Sequence, residues 1–163
     1  MITNYLSPLE FQVSIKRMPN VEFFVQRTVI PNISSNPVIQ QTPFNTLTQT
    51  SDHLQYGNLD ISFIIDENMT NYIEVFNWIT AITFPQGFDQ FKKIKNSDMG
   101  VSSDITITIL NSHKNGNIRV NFYGCVPISL TEITLDTTQS DLNYPEATVS
   151  FSYDWFNITT MKD

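Results

Sequence analysis

Apolar side chains recur at every second position along much of this chain. The stretch LDISFII places Leu59, Ile61, Phe63 and Ile65 on one face of an extended backbone. We predict further strands in the stretches LEFQVSIK, VEFFVQRTVI, DITITIL, NIRVNFYG, VPISLTEITL and ATVSFSYDWF. A period of two is typical of strands that bury one face, so the sequence predicts a mainly β chain.

Turn residues separate these predicted strands. Pro19-Asn20 breaks the pattern between the first strand and the second. Asn115-Gly116 predicts a hairpin between DITITIL and NIRVNFYG, because these residues tolerate the positive φ that short hairpin turns need. Pro127 has no amide hydrogen to donate to a ladder, so it predicts a sheet edge or a bulge.

One stretch has a helical period instead. Between positions 66 and 82, apolar residues recur three or four positions apart, at Met69, Tyr72, Ile73, Phe76, Ile79 and Ile82. This spacing predicts an amphipathic helix that buries this stripe and is capped by Asp66 or Asn68. Pro85-Gln86-Gly87 ends the helix, and the following FDQFKKIK is expected to add a short helical turn.

Two places are candidates for contact with partners. The segment 31–57 contains three prolines and many Ser, Thr, Gln and Asn residues, and connections of this length are uncommon inside a compact domain. We expect an extended arm or long hairpin that contacts other subunits through Phe44, Leu47, Leu54 and Tyr56; the alternative is an arm that folds back on its own domain. Trp78 lies off the helical stripe, so we also expect that position to face a partner.

These elements together predict the fold class. They fit an antiparallel β-sandwich or a partly closed barrel, with one α-helix that covers an opening. The length of 163 residues fits a single domain, residues 1–163, with the arm at 31–57 as its long excursion.

The charge pattern limits the classes of partner. The net charge is −7, only 15% of residues are charged, and FKKIK at 91–95 is the longest basic cluster. A direct nucleic-acid binder needs a basic stripe, so that class is disfavoured. A surface rich in uncharged polar residues suits a protein that partners cover, and an acidic surface lets DNA slide past without binding.

Candidate residues for chemistry are few. Cys125 is the single cysteine and is expected to be a buried apolar thiol, while His53 and His113 lie in different regions without metal-ligand spacing. The pair Asp66-Glu67 is explained by its position at a helix start. We therefore expect no enzyme activity, no metal and no cofactor. Neither a secretory leader nor a membrane helix is predicted, which favours a reducing, aqueous compartment.

Several stretches, taken in order, resemble the tail-tube proteins of contractile-tailed bacteriophages. VSFSYDWF is similar to the closing strand of that family, PLEFQVSI to its opening strand, and LDISFIIDENMTNYIEVFNWITAI to its strand-and-helix unit with an aromatic residue in the helix. FFVQRTVIPNIS looks like the second strand running into a bend that contains proline. The resemblance covers nearly the whole chain.

The resemblance implies a structural role in the virion tail, assembled in the host cytoplasm. Six copies are expected to form a ring whose strands join into one inner barrel, and the rings are expected to stack, with the arm reaching a neighbouring subunit or ring. The implied partners are other copies of the chain, the tail sheath, the tape measure and the baseplate tube proteins. DNA is implied only as passing cargo, and no membrane is involved.

Two alternatives stay open. DENM and WITAITFPQGFDQF look more like short tube-related paralogues, so a baseplate tube initiator or a tube-terminal cap is the close alternative. A carbohydrate-binding β module of a phage fibre is the other, and it needs an exposed aromatic platform for which Tyr56, Trp78 and Trp155 are the candidates.

Overall fold

The computed structural model of the chain describes residues 5–51, 53–85, 87–96, 100–138 and 143–161. Within these ranges the strands are β1 (Phe11–Ile15), β2 (Val25–Thr28), β3 (Ile33–Ser35), β4 (Val38–Gln41), β5 (Thr46–Gln49), β6 (Leu54–Tyr56), β7 (Leu59–Ile64), β8 (Ser103–Leu110), β9 (Gly116–Leu130), β10 (Glu146–Ser152) and β11 (Trp155–Thr160). The helices are α1 (Pro19–Phe23), α2 (Thr70–Thr83) and α3 (Phe88–Lys95).

The long strand β9 joins two antiparallel sheets. Its first part pairs with β8 and β11, and β8 pairs with β1, which gives the order β1-β8-β9-β11 that we call sheet I. Its second part pairs with β10, which continues to β7 and β2 as sheet II. The predicted mainly β, antiparallel, partly closed architecture is confirmed, since the paired path is open at β1 and β2.

One apolar core lies between the sheets. The alternating residues of β7 and β8 are buried as the pattern predicted, with Phe63 and Ile107 among the most buried. Sheet I and sheet II contribute to the same cluster of buried side chains. Burying side chains of this size contributes about 1.5–3 kcal/mol each, so these strands hold the domain together.

The predicted closing strand is two strands. β10 and β11 lie along the same edge of β9, and the chain bends between them at Asp154, whose amide donates to the carbonyl of Tyr123 at 3.0 Å. Opposite this bend, Gly124 has φ +67°, and a Cβ there would lie 2.4 Å from Oδ2 of Asp154. The interruption shifts the inward positions by one, so Phe151 is buried whereas Trp155 is about half exposed.

Pro127 marks a bulge, as expected. Phe151 pairs with Pro127 while Ser150 pairs with Ser129, so Ile128 is the extra residue in β9. The β8–β9 turn differs from the prediction, because its positive φ of 62° is at Lys114 and not at Asn115-Gly116. The Asn111 side chain fixes this turn by accepting hydrogen bonds from the amides of residues 113 and 115.

The strand predicted over VEFFVQRTVI is wrong in its first half. Residues Pro19–Phe23 form the short helix α1, and β2 begins only at Val25. Proline is favourable in the first turn of a helix because its missing amide hydrogen is not needed there. Glu22 then accepts a hydrogen bond from the amide of Ile15 at 3.1 Å, which ties α1 to the end of β1.

The helix α2 begins at Thr70, and neither Asp66 nor Asn68 caps it. The residue before it, Met69, has φ 54° and makes no side-chain capping hydrogen bond. The buried Asn71 connects the helix to β7 instead: its Nδ2 donates to the carbonyl of Ile64 at 2.8 Å, and its Oδ1 accepts from the amide of Asp66 at 3.2 Å.

The buried face of α2 also differs from the predicted stripe. Its most buried residues are Asn71, Val75, Trp78 and Ala81. Tyr72, Ile79 and Ile82 of the stripe pack partly against the core, but Met69, Ile73 and Phe76 are exposed. The helix therefore has a buried face and a separate apolar row in solvent. No helix among the described residues has both the length and the hydropathy to cross a membrane.

Candidate assembly surfaces

The arm predicted at 31–57 is a two-part hairpin that starts and ends at sheet II. β3 pairs with β6 near its base, where the amide of Gly57 donates to the carbonyl of Asn32 at 3.0 Å. β4 pairs with β5 further out, and all eight of their residues are exposed. The outer part of the arm is therefore held by its own ladder and projects into solvent.

The turn of this outer hairpin presents Phe44. Thr42 and Asn45 close the turn, with the amide of Thr42 donating to the carbonyl of Asn45 at 2.9 Å and the amide of Asn45 donating to the Thr42 hydroxyl at 3.2 Å. Phe44 between them is 100% exposed, and Leu47 and Leu54 are 49% and 53% exposed. Three predicted interface residues are thus free of their own domain's core.

Tyr56 and Trp78, the other two predicted interface residues, pack within their own domain. The ring of Tyr56, at the base of the arm, is 5.8 Å from that of Tyr153 and 5.5 Å from that of Phe156, so it packs on its own domain. Trp78 is only 2% exposed, its Nε1 donates to the carbonyl of Val101 at 3.0 Å, and its ring lies 5.9 Å from that of Phe151. This burial contradicts the partner-facing position expected for Trp78.

The three rings considered for a carbohydrate platform do not share a surface. Trp155 stacks on Tyr123 with ring centres 4.3 Å apart on the outer face of sheet I. Tyr56 packs against Phe156, and Trp78 is in the core. The aromatic platform that a sugar-binding module needs is therefore not formed by these residues.

An apolar groove lies at the C-terminal end of β7, and the sequence did not predict it. Its volume is about 670 Å³. It is lined by Phe24, Ile64, Ile65, Asp66, Glu67, Met69, Ile133, Leu135, Tyr144 and Pro145. Eight of these ten residues come from the connection between β9 and β10 and from the turn before α2. These two segments are distant in the chain, so no local sequence pattern could have placed them together.

The outer face of sheet I carries a row of uncharged polar side chains. Ser14, Thr106, Asn121 and Asn157 lie side by side across β1, β8, β9 and β11. The Thr106 hydroxyl donates to Oδ1 of Asn121 at 3.2 Å, and Nδ2 of Asn121 donates to Oδ1 of Asn157 at 3.1 Å. Hydrogen bonds thus link the side chains of three of these four residues across β8, β9 and β11.

Groups capable of chemistry are dispersed. Cys125 is fully buried as expected, and burial raises the pKa of its thiol to about 12. His53 in the arm and His113 in the β8–β9 turn are both exposed and lie in different segments of the fold. In the described ranges, no three His, Cys, Asp or Glu side chains lie close enough to hold a metal ion.

Comparison with solved structures gives the same architecture. A chain of the anti-feeding prophage cap, described as a tube-terminating cap, has a TM-score of 0.72 at 16% identity and covers 99% of this chain and 95% of that chain. A chain of the PVC sheath-tube complex, an extracellular contractile injection system in its extended state, has a TM-score of 0.70 at 18% identity over 96% and 93%. A chain of the PVC sheath/tube terminator has a TM-score of 0.70 at 18% identity over 98% and 99%.

Sequence comparison supplies the family. No curated protein matches the chain. The family model for phage tail tube proteins matches residues 3–159, which is almost the full length. The chain therefore belongs to the phage tail tube protein family.

Proposed function

We propose that the chain is the subunit of a homohexameric ring in the tail tube of a contractile phage tail, and that stacked rings form the channel for DNA delivery. The observation that carries the proposal is the projecting arm. Its outer strands are wholly exposed, and the turn between them presents the fully exposed side chain of Phe44. Contiguous exposed apolar surface of this kind marks a site of contact with a partner.

Ring formation would use the open edges of sheet I. Among the described residues, β1 and β11 each pair on one side only. Neighbouring strands alternate in direction across β1, β8, β9 and β11, so β11 of one subunit would run antiparallel to β1 of the next. Such edges bind each other through backbone hydrogen bonds, and six copies would close one continuous barrel.

The channel would then be lined by the outer face of sheet I. That face presents the Ser14, Thr106, Asn121 and Asn157 row, and its strand positions add one acid, Asp104, and one base, Arg119. This lining would be mostly polar with no net charge, and not acidic as the net charge of the chain suggested. It would still pass DNA without retaining it, because tight binding of phosphates needs a cluster of basic groups.

The same subunit surfaces would serve a tube initiator or a tube-terminal cap. The likeness to a tube-terminating cap supports this alternative, and the two roles differ in copy number, with many rings for a tube and one for a terminal component. Contacts with the sheath, tape measure and baseplate tube proteins, and assembly in the host cytoplasm, belong to either version of the proposal.

The mass of the purified chain in solution tests the proposal. Light scattering should give particles of six times the 18.7 kDa of one chain, or multiples of that mass, and negative-stain images should contain rings or tubes. Counting subunits per tail separates the main tube from a terminal ring. A monomer at every concentration, together with its absence from purified tails, would overturn the proposal.

A further inference from the structure

We infer that Asn115 is a site of spontaneous covalent modification, at which the side-chain amide is lost and the chain rearranges to aspartate and isoaspartate. Asn115 and Gly116 form the one Asn-Gly pair in the sequence, and they lie where the β8–β9 turn enters β9. The inference goes beyond the proposed function and does not depend on it.

The chemistry is internal to the chain and needs only water. The deprotonated backbone nitrogen of Gly116 attacks Cγ of Asn115, a C–N bond forms, and the side-chain nitrogen leaves as ammonia. Water then opens the resulting five-membered succinimide. Cleavage of the new Cγ–N bond gives aspartate, whereas cleavage of the original peptide bond gives isoaspartate, whose main chain runs through Cβ and Cγ. Glycine favours the first step because its backbone is permissive and no side chain hinders its nitrogen.

The structure leaves the Asn115 side chain free to react. The residue is exposed, and its side chain makes no hydrogen bond with any described residue. Its backbone is held instead: the carbonyl accepts from the amide of Asn111 at 2.8 Å, and the amide donates to Oδ1 of Asn111 at 3.0 Å. The positive φ of the turn is at Lys114, so the Asn-Gly pair is not fixed at the centre of a two-residue hairpin turn.

Asn111, in the same turn, provides an internal comparison. Its Oδ1 accepts hydrogen bonds from the amides of His113 and Asn115, at 2.9 Å and 3.0 Å. Reaction at Asn111 would first have to break these two bonds, and the residue that follows it, Ser112, has a side chain that hinders the attacking nitrogen. The turn therefore contains one asparagine that is restrained and one that is not.

Modification would act on the end of sheet I. Gly116 is the first residue of β9 and pairs with Leu110. The next carbonyl, of Asn117, accepts from the amide of Met161 at 2.8 Å, just after β11. Isoaspartate adds one atom to the main chain at the start of this ladder, so it should loosen the ends of β8, β9 and β11. The aspartate product keeps the main chain and adds one negative charge to a net charge of −7.

Ageing of the purified chain tests the inference. The chain is held at pH 8.5 and 37 °C, which favours deprotonation of the backbone nitrogen, and is then digested at mildly acidic pH, where the reaction is slow. Mass spectrometry of the peptides and an isoaspartyl methyltransferase assay give the products. Conversion at Asn115 should be at least ten-fold faster than at Asn111, and isoelectric focusing should resolve a more acidic species. The matched variant Asn115→Gln should stay unmodified over the same period, because glutamine would have to form a six-membered ring, which closes more slowly.

A sample unfolded in guanidinium chloride gives the reference rate without the fold. Conversion of Asn115 in the folded chain at no less than a tenth of that rate supports the inference. An Asn115 that stays intact in the folded chain but is converted in the unfolded one overturns it, since the turn would then protect the residue. Equal rates at Asn111 and Asn115 in the folded chain overturn it as well.

The melting temperature of the monomer measures the effect on the ladder. It should fall during ageing of the native chain but not during ageing of Asn115→Gln, and equal values after full conversion would overturn the loosening of sheet I. The outcomes are separate from those of the tube proposal. Rings formed by a chain that does not convert leave that proposal standing, and conversion in a chain that never forms rings counts against the tube alone.

Discussion

The two hairpins β8–β9 and β4–β5 have similar ladders and opposite surroundings. In β8, Ile105, Ile107 and Ile109 are buried in the core. In β4 and β5 every residue is exposed, and beyond the backbone ladder the Gln49 side chain donates to that of Gln40 at 2.7 Å. The difference shows that one hairpin is stabilised by packing in its own domain, whereas the other is held only by its own ladder and turn.

The largest expected effect is in the core hairpin. Phe122→Ala removes a fully buried ring of β9 that packs against Tyr153 and Phe156. We expect the free energy of unfolding to fall by about 3–5 kcal/mol, measured by urea denaturation of the chain under conditions where it is monomeric. Leu47→Ala is the matched control in the arm hairpin and should change it by less than about 0.5 kcal/mol. A large loss in Leu47→Ala would mean that the arm folds onto its own domain.

The second prediction measures assembly, for which we expect the exposed β4–β5 hairpin to be required. Phe44→Ser/Leu47→Ser removes two exposed apolar side chains from the arm, so rings and tubes should be lost while the urea midpoint of the monomer stays unchanged. Light scattering and negative-stain images give the result. Ser112→Ala, an exposed change in the β8–β9 turn, is the control and should assemble normally. Intact rings in the double variant would remove the arm from the assembly.

A smaller effect is expected at the bend that joins the two sheets. Gly124→Ala forces a residue with a Cβ into φ +67° and against Oδ2 of Asp154, which should cost about 1–3 kcal/mol. Thermal unfolding of the monomer measures it. Gly87→Ala is the control, because a Cβ there meets nothing within 4 Å. Equal melting temperatures for the two variants would mean that the bend relaxes without cost.

The strands were predictable from the sequence because burial on one face leaves a period of two. Leu59, Ile61 and Phe63 follow it without exception, as do the isoleucines of β8. The division of the closing stretch into β10 and β11 was not predictable, because it depends on a bend opposite Gly124 that is more than twenty residues earlier in the chain. Local sequence patterns contain no information about such a contact between distant parts of the chain.

The helix α2 was predictable in existence but not in orientation. Its apolar residues surround more than one face, and the core selects Val75 and Trp78 while leaving Ile73 and Phe76 in solvent, the latter 52% exposed. A stripe defined by spacing alone cannot tell a face buried in its own domain from an apolar row that is exposed in the monomer. The arm was identified for the opposite reason, since its length and lack of periodicity excluded a place in the core.

The last prediction concerns a buried thiol that makes the stability of the chain depend on pH only in the alkaline range. Burial, with smaller contributions from Asp104 and Asp154, raises the pKa of the Cys125 thiol from 9.0 to about 12. Below pH 9 the thiol is protonated in both the folded and the unfolded chain, so its contribution to stability is fully present. Between pH 9 and about 12 only the unfolded chain loses the proton, so the free energy of unfolding should fall as pH rises.

Urea midpoints of the monomer at pH 8.5, 9.5 and 10.5 measure this effect. Cys125→Ala should be less stable than the native chain at pH 8.5 because it leaves a cavity, but its midpoint should fall less steeply with pH. Burial also raises the pKa of Tyr153 to about 12, so Tyr153→Phe serves as the control for the decline that begins above pH 10. A native chain and a Cys125→Ala variant with parallel pH profiles would mean that the thiol ionises freely in the folded state. The core hairpin would then be more open to solvent at Cys125 than its packing indicates, and its contrast with the exposed arm would be weaker.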